Sequence, residues 1–170
     1  MRLLVVSDTH GDAAIIAHVA NEQEADVRFH CGDSELAFDH EVLATFERVR
    51  GNCDRDKRFP EEVIVDCGDK RVLMVHGHLH NVKQSLMALS YRAQEVGAHI
   101  VLFGHSHLYG AELIDNILFV NPGSLKAPRG GKPKTYAGIE IESPTDYKVH
   151  FINEQSDIIS SHLFSMKQDV

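Results

Sequence analysis

No stretch of this sequence approaches the ~20 consecutive apolar residues of a membrane helix. Its first apolar run, residues 3–6, stops at Ser7 and Asp8, too short for the core of a secretion signal. The sequence therefore predicts a soluble, cytoplasmic chain with no membrane partner. Cysteine is scarce and odd in number: Cys31, Cys53 and Cys67 have neither C-x-x-C nor zinc-finger spacing, which argues against a disulfide framework or a structural zinc site. Basic residues are outnumbered, 17 against 25 acidic ones, for a net charge of -8. That is the wrong sign for gripping a polyanion, and no stripe of basic and aromatic side chains offsets it, so long DNA or RNA is not the expected partner. A phosphate-bearing ligand must then be held locally, which bound metal cations do by reversing the local field.

What is present suffices for one domain, since 170 residues with 43% hydrophobic content can enclose a core. Residues 3–6 read as a strand that stops at a polar turn and runs into a helical pattern at 13–24. A second strand, 27–30, ends at Cys31-Gly32-Asp33, with residues 42–46 in the helix after it. Residues 63–67 and 72–76 flank a Gly-Asp turn and read as a hairpin. Leu86, Leu89, Ala93 and Val96 fall at helical steps, so residues 82–96 read as one amphipathic helix that stops at Gly97. Residues 99–103, 112–114, 117–120, 137–141 and 147–152 complete the strands. Early βα units giving way to hairpins predict an α/β protein with a partly antiparallel sheet and helices on the sheet faces. The domain is expected over residues 1–155, with 156–170 a tail packed on it or frayed from it.

Asp8, Asp33, Asn52, His76 and the pair His105 and His107 each lie just after an expected strand, where ligands bind in open α/β sheets. Asp8-Thr9-His10 and His105-Ser106-His107 place two donors two residues apart, on one face of an extended segment. Asp33 has two oxygens and could bridge two ions, which in two-metal sites sit roughly 3.5 to 4 Å apart. Carboxylate, amide oxygen and imidazole together suit Mn²⁺, with Zn²⁺, Fe²⁺ or Ni²⁺ as alternatives. One D-x-H or G-D pair arises by chance, and a His at a strand end often just satisfies a backbone group. Five such motifs in order at strand ends point instead to a metal site.

In order and spacing, Asp8-Thr9-His10, Gly32-Asp33, Gly51-Asn52-Cys53-Asp54, His76-Gly77-His78, Gly104-His105-Ser106-His107 and Asn121-Pro122-Gly123-Ser124 resemble the calcineurin-like metallophosphoesterases, in particular the small phosphodiesterases of the YfcE and YsnB type. The resemblance implies a four-layer αββα sandwich with mixed sheets and two divalent metal ions at one edge. Asp8, His10, Asp33 and His107 would hold one ion, and Asp33, Asn52, His76 and His105 the other. It also implies attack on a small phosphodiester, or a phosphate monoester, by a metal-bridging hydroxide. Asn52, Asp54 and His76 are then the expected catalytic residues, and Cys53 and His78 the expected substrate contacts. Larger members carry His where this chain has Cys53, and a thiol protonates an alkoxide poorly, so poor leaving groups should suffer most. Asp54 is also a candidate for orienting a ligand.

The Asn-Pro-Gly-Ser turn should border the site without ligating it. His18, His30, His40, His80, His99, His150 and His162 fall outside the motifs and are expected to be structural or solvated, with His30 and His99 satisfying backbone groups. Arg129, Lys132 and Lys134 read as a solvated loop that could help attract phosphate. A competing class is a non-enzymatic interaction scaffold, as the retromer subunit of similar fold is, but a scaffold needs no complete ligand set. A homo-oligomer is compatible with the sequence, although no periodicity argues for one.

Overall fold

The computed structural model describes residues 1–168. The chain runs β1 (Arg2–Val6), α1 (Ala13–Glu22), β2 (Val27–His30), β3 (Phe46–Arg48), β4 (Glu62–Cys67), β5 (Lys70–Val75), α2 (Met87–Val96), β6 (Ile100–Leu102), β7 (Gly110–Ile114), β8 (Ile117–Asn121), β9 (Thr135–Ile141), β10 (Asp146–Asn153) and β11 (Ile158–Ser165). The strands form a six-stranded sheet in the order β11-β10-β9-β1-β2-β3 and a five-stranded sheet in the order β4-β5-β6-β8-β7. Both are mixed: β1, β2 and β3 run parallel, as do β5, β6 and β8, and the remaining pairs are antiparallel.

Side-chain alternation builds the layers. In β1, Leu3 and Val5 face the other sheet, while Leu4 and Val6 meet Ile16 and Val19 of α1. In β5, Val72 and Met74 share the inter-sheet core with Leu3 and Val5, while Leu73 and Val75 meet Leu89 and Ala93 of α2. Helix, sheet, sheet and helix thus stack as the expected αββα sandwich. Each fully buried Leu, Val or Phe contributes about 1.5–3 kcal/mol through the apolar surface it removes from water. The Asp12 side chain caps α1 by accepting the Ile15 N–H at 3.1 Å, which supports that helix by about 1 kcal/mol. Among the described residues no helix is long and apolar enough to cross a membrane.

Three segments depart from the sequence reading. The helix expected from residue 82 begins at Met87, because Asn81 adopts a left-handed backbone (φ 53°) after a short 3-10 turn and residues 82–86 coil over the sheet instead. The helix expected over 42–46 is a 3-10 turn, Glu41–Leu43, followed by β3. Arg48 donates to the carbonyls of Leu43 and Phe46, which ties that turn to the strand. The tail expected to pack or fray is in its larger part β11, hydrogen-bonded along β10 as the edge of the six-stranded sheet. Residues 169–170 of that tail lie outside the described residues.

Candidate metal centre

The parallel strands bring their carboxyl ends to one edge of the sandwich. Asp8 follows β1, Asp33 follows β2, Asn52 follows β3, His76 follows β5 and His105 follows β6. Turning each chain end sharply enough to aim a side chain at a shared point strains the backbone. Asp8, His10, Asp33, His105 and His107, five of the seven expected ligands, all have positive φ, between 42° and 72°. Non-glycine residues held there cost about 1–3 kcal/mol each and persist where surrounding contacts over-determine them.

The donor atoms converge in three overlapping groups, Asp8 with His10 and His107, Asp8 with Asp33 and His76, and His10 with Glu35 and Cys53. Asp8 Oδ1 lies 3.1 Å from His107 Nε2 and 3.8 Å from Nε2 of both His10 and His76. His76 Nε2 lies 3.2 Å from Asp33 Oδ2 and 3.1 Å from Asn52 Oδ1. Asp8 is common to the first two groups, and Asp33, whose Oδ1 accepts the Cys53 N–H at 2.8 Å, presents Oδ2 to the centre. His105 stands outside the tight groups, with its ring centroid 5.1 Å from that of His76 and its backbone N–H on Asp8 Oδ2 at 3.2 Å.

These residues fit a cation. Asp8 is fully buried, yet its Oδ1 has no hydrogen-bond partner, a costly arrangement for a carboxylate unless a positive charge faces it. The histidines agree. His76 Nδ1 lies 2.8 Å from the Cys31 carbonyl and His107 Nδ1 2.7 Å from the Ala127 carbonyl, so each Nδ1 carries a proton and donates it. In the neutral rings both Nε2 lone pairs then face carboxylate or amide oxygens, an arrangement relieved by a metal ion or by a second proton. Burial works to lower the His76 pKa, but the Asp33 and Asp8 carboxylates outweigh it and hold it above the usual value. The second proton would let His107 Nε2 donate to Asp8 Oδ1, and this raises the His107 pKa. Burial works to raise Asp8 and Asp33, and the neighbouring histidines prevail and lower both, so both are carboxylates at neutral pH.

The remaining expected residues divide by what they touch. His78 is half-buried beside the centre, 5.4 Å from His76 and 6.1 Å from His105 between ring centroids, and its Nδ1 has no partner. Cys53 is exposed, and burial of its sulfur together with the Asp33 charge pushes its thiol up to about 11. Asp54 fits the orienting role the sequence offered for it: both its oxygens are engaged by the backbone N–H groups of Asp33, Glu35 and Gly51 at 2.7–2.8 Å. It is a positioning residue that locks the Asp33 loop to the Asn52 loop.

Sequence reasoning missed Glu35, whose carboxylate lies 2.8 Å from His10 Nδ1 and fixes the ring that presents Nε2 to Asp8. Its only sequence signal is its place two residues after Asp33. Ser124 Oγ donates to the Asp8 carbonyl at 2.8 Å, so the Asn-Pro-Gly-Ser turn braces the first ligand loop. His30 and His99 each accept a backbone N–H through Nδ1, from Gly32 at 3.1 Å and from Arg71 at 2.9 Å, as the sequence led us to expect. Lys134 lies 3.8 Å from Glu154 and Lys132 sits over the Tyr109 ring, each with a local partner of its own.

Comparison with known proteins agrees with this geometry. The family model of the calcineurin-like phosphoesterase superfamily domain matches residues 1–144. The probable metallophosphoesterase YsnB of Bacillus subtilis is 41% identical over 145 residues, covering 84% of this chain and 86% of the relative. Phosphodiesterase YfcE of Escherichia coli K12 is 32% identical over 129 residues, covering 70% of this chain and 61% of the relative. The crystal structure of a predicted phosphoesterase from Streptococcus pneumoniae superposes with a TM-score of 0.92 at 36% identity, over 96% of this chain and 97% of the other. Strand-end ligands on an αββα sandwich, the matched domain and these relatives together assign the chain: it belongs to the calcineurin-like phosphoesterase superfamily of metal-dependent hydrolases.

Proposed function

We propose that the protein is a dinuclear metal-dependent phosphodiesterase acting on a small phosphodiester, with Mn²⁺ as the first candidate metal. The observation that carries this reading is the unpartnered, fully buried Asp8 Oδ1 at the junction of two donor groups. In this reading Asp8, His10, Asp33 and His107 hold one ion, and Asp33, Asn52, His76 and His105 hold the second. Two divalent ions bound there would supply positive charge to the phosphoryl oxygens and acidify a water towards neutral pH.

The protein's own groups prepare that chemistry. Asp8 and Asp33 stay ionised, and the carbonyls of Cys31 and Ala127 hold His76 and His107 in the tautomer that offers Nε2. On the open side, exposed Asn52 and half-buried His78 border a depression that also includes Arg50 and Glu61, where a phosphoryl group can enter, while exposed Cys53 lines a neighbouring one with Glu35, Arg55 and Asp56. A scaffold would have no use for a strained loop set around an unpaired carboxylate, which favours the enzyme.

The test is hydrolysis of bis-p-nitrophenyl phosphate by metal-stripped protein with Mn²⁺ restored, beside Asp8→Ala and Asn52→Ala. We expect Mn²⁺-dependent turnover that both substitutions abolish. Folded, Mn²⁺-loaded protein that turns over neither this diester nor p-nitrophenyl phosphate would overturn the reading and leave the scaffold in its place.

A further inference from the structure

A cavity of about 550 Å³ lies beside the metal centre, on the outer face of the five-stranded sheet at the start of α2. Its walls are apolar: Val82 and Leu86 from the coiled segment before α2, Phe103 and Phe119 from the sheet, and Leu108 from the loop after His107. Its volume is within the roughly 300–1,000 Å³ of small-molecule pockets.

Its wall is built partly from the ligand loops. Ser106, between the expected ligands His105 and His107, lines the cavity and is held by Asn121 Nδ2 at 2.9 Å. Arg129, also on the wall, donates its backbone N–H to the His107 carbonyl at 3.3 Å. Lys83 and Arg129 add positive charge to the same wall. Glu112 is the single acid on the wall. An apolar chamber with two cations beside its opening matches an amphipathic anion, with the organic part inside and the phosphate outside.

Local structure has been given up to build this wall. Leu86 occupies the N-cap of α2 and makes no side-chain cap, although Ser, Thr, Asp and Asn are strongly preferred there. The helical period that begins at Val82 is broken, and both Val82 and Leu86 turn to the cavity instead. Val82 and Leu86 thus serve twice, packing against Leu73, Leu89 and Phe119 and presenting apolar surface to the cavity.

We propose that this cavity receives the organic arm of a phosphate ester bound at the metal centre, so that the preferred substrates carry an aromatic or alkyl arm of up to nucleoside size. The inference rests on the phosphoesterase reading above and names the substrate class for it.

Binding separates the two claims. Phosphonates have one organic arm and no leaving group, so titration calorimetry of the Mn²⁺-loaded protein with methylphosphonate and benzylphosphonate reads the cavity without turnover. Two substitutions alter the cavity while sparing the fold. A Cβ at Gly110 meets nothing within 4 Å, and Gly110 shares the cavity-facing side of β7 with Glu112, so Gly110→Leu fills the chamber. Leu86→Asn makes the wall polar and supplies the missing cap.

Wild-type protein is expected to bind benzylphosphonate about tenfold or more tightly than methylphosphonate, and both variants to reduce that ratio below roughly threefold with methylphosphonate affinity unchanged. A ratio near one in the wild type, or a ratio retained in both variants, overturns the proposal alone. Failure of both phosphonates to bind overturns it together with the phosphoesterase reading.

Discussion

Gly51 offers the sharpest test of how closely the loops of the centre are fitted. Its backbone needs no positive φ, so conformational freedom does not explain a glycine there. Close approach does: a Cβ at residue 51 would fall 2.6 Å from both Asp33 Cγ and Asp33 N, and nearer still to Oδ1. Restoring ordinary contact at 3.4 Å needs the Asp33 backbone nitrogen to retreat by about 0.8 Å, and the carboxylate by more. That nitrogen is tied to Asp54 Oδ2, which also holds Gly51 N, so the two loops cannot part without breaking a charged hydrogen bond. Misplacement by about 1 Å in a catalytic constellation costs on the order of 100-fold in rate. Gly51→Ala should therefore weaken Mn²⁺ binding by about 10–100-fold and lower kcat/KM for bis-p-nitrophenyl phosphate by about 100-fold. Gly138→Ala, also free of positive φ and with a Cβ that would make only an ordinary 3.8 Å contact to Ile152, is the matched control and should leave both near wild type. Calorimetric titration with Mn²⁺ and steady-state kinetics read the two quantities. Wild-type affinity and rate in Gly51→Ala would show that Asp33 is not held in the productive position by this packing, and would refute the reasoning.

Three further outcomes follow from the same geometry. Asp8→Asn replaces the unpaired carboxylate oxygen with a group able to donate to the facing Nε2 atoms, so at alkaline pH, where His76 and His107 are neutral, the metal-free variant should melt at or above the temperature of metal-free wild type. It should at the same time lose the stabilisation by Mn²⁺, about 2.7 kcal/mol at a hundredfold excess over Kd, and a metal-free variant that is much less stable would contradict this account. Glu35→Gln removes the charge that orients His10, and isothermal titration should show Mn²⁺ affinity reduced by about 10–100-fold; an unchanged affinity would mean that His10 is held by other contacts. The folded-state values of His76 and His107 lie above the usual 6.5, for His76 because Asp33 and Asp8 outweigh burial, and for His107 chiefly through Asp8. Their contribution to the stability of the metal-free protein is complete below that value and is lost as pH rises through the folded values. Thermal unfolding without metal should therefore show Tm falling as pH rises above 6.5, and excess Mn²⁺ should reverse the trend because the ion displaces those protons. A metal-free Tm that rises across this window would show that the two histidines are not paired with the carboxylates as described.

The ligands were legible in the sequence because each interrupts an apolar strand with a polar, often glycine-flanked turn. Parallel strands side by side then bring such turns together whatever the details of packing. The expected pairing of Val63–Cys67 with the following strand followed likewise from a local turn. The start of α2 was not legible: Val82, Leu86 and Leu89 satisfy a helical period equally well when the first two line a cavity, and only the left-handed Asn81 separates the cases. Nor was β11, since Ile158-Ile159-Ser160-Ser161 has no alternation and its strand character comes from pairing with β10. Glu35 is one of 25 acidic residues, and nothing local marks it as the partner of a histidine 25 positions earlier. Asp54 was legible as part of the site, but its engagement with three backbone N–H groups depends on how two loops meet.

The most direct measurement is anomalous diffraction at the manganese edge from crystals soaked in Mn²⁺. Two peaks per chain are expected, roughly 3.5 to 4 Å apart, with Asp8, His10 and His107 around one, Asn52, His76 and His105 around the other, and Asp33 between them. No peak among these residues, or manganese bound only elsewhere on the protein, would contradict it.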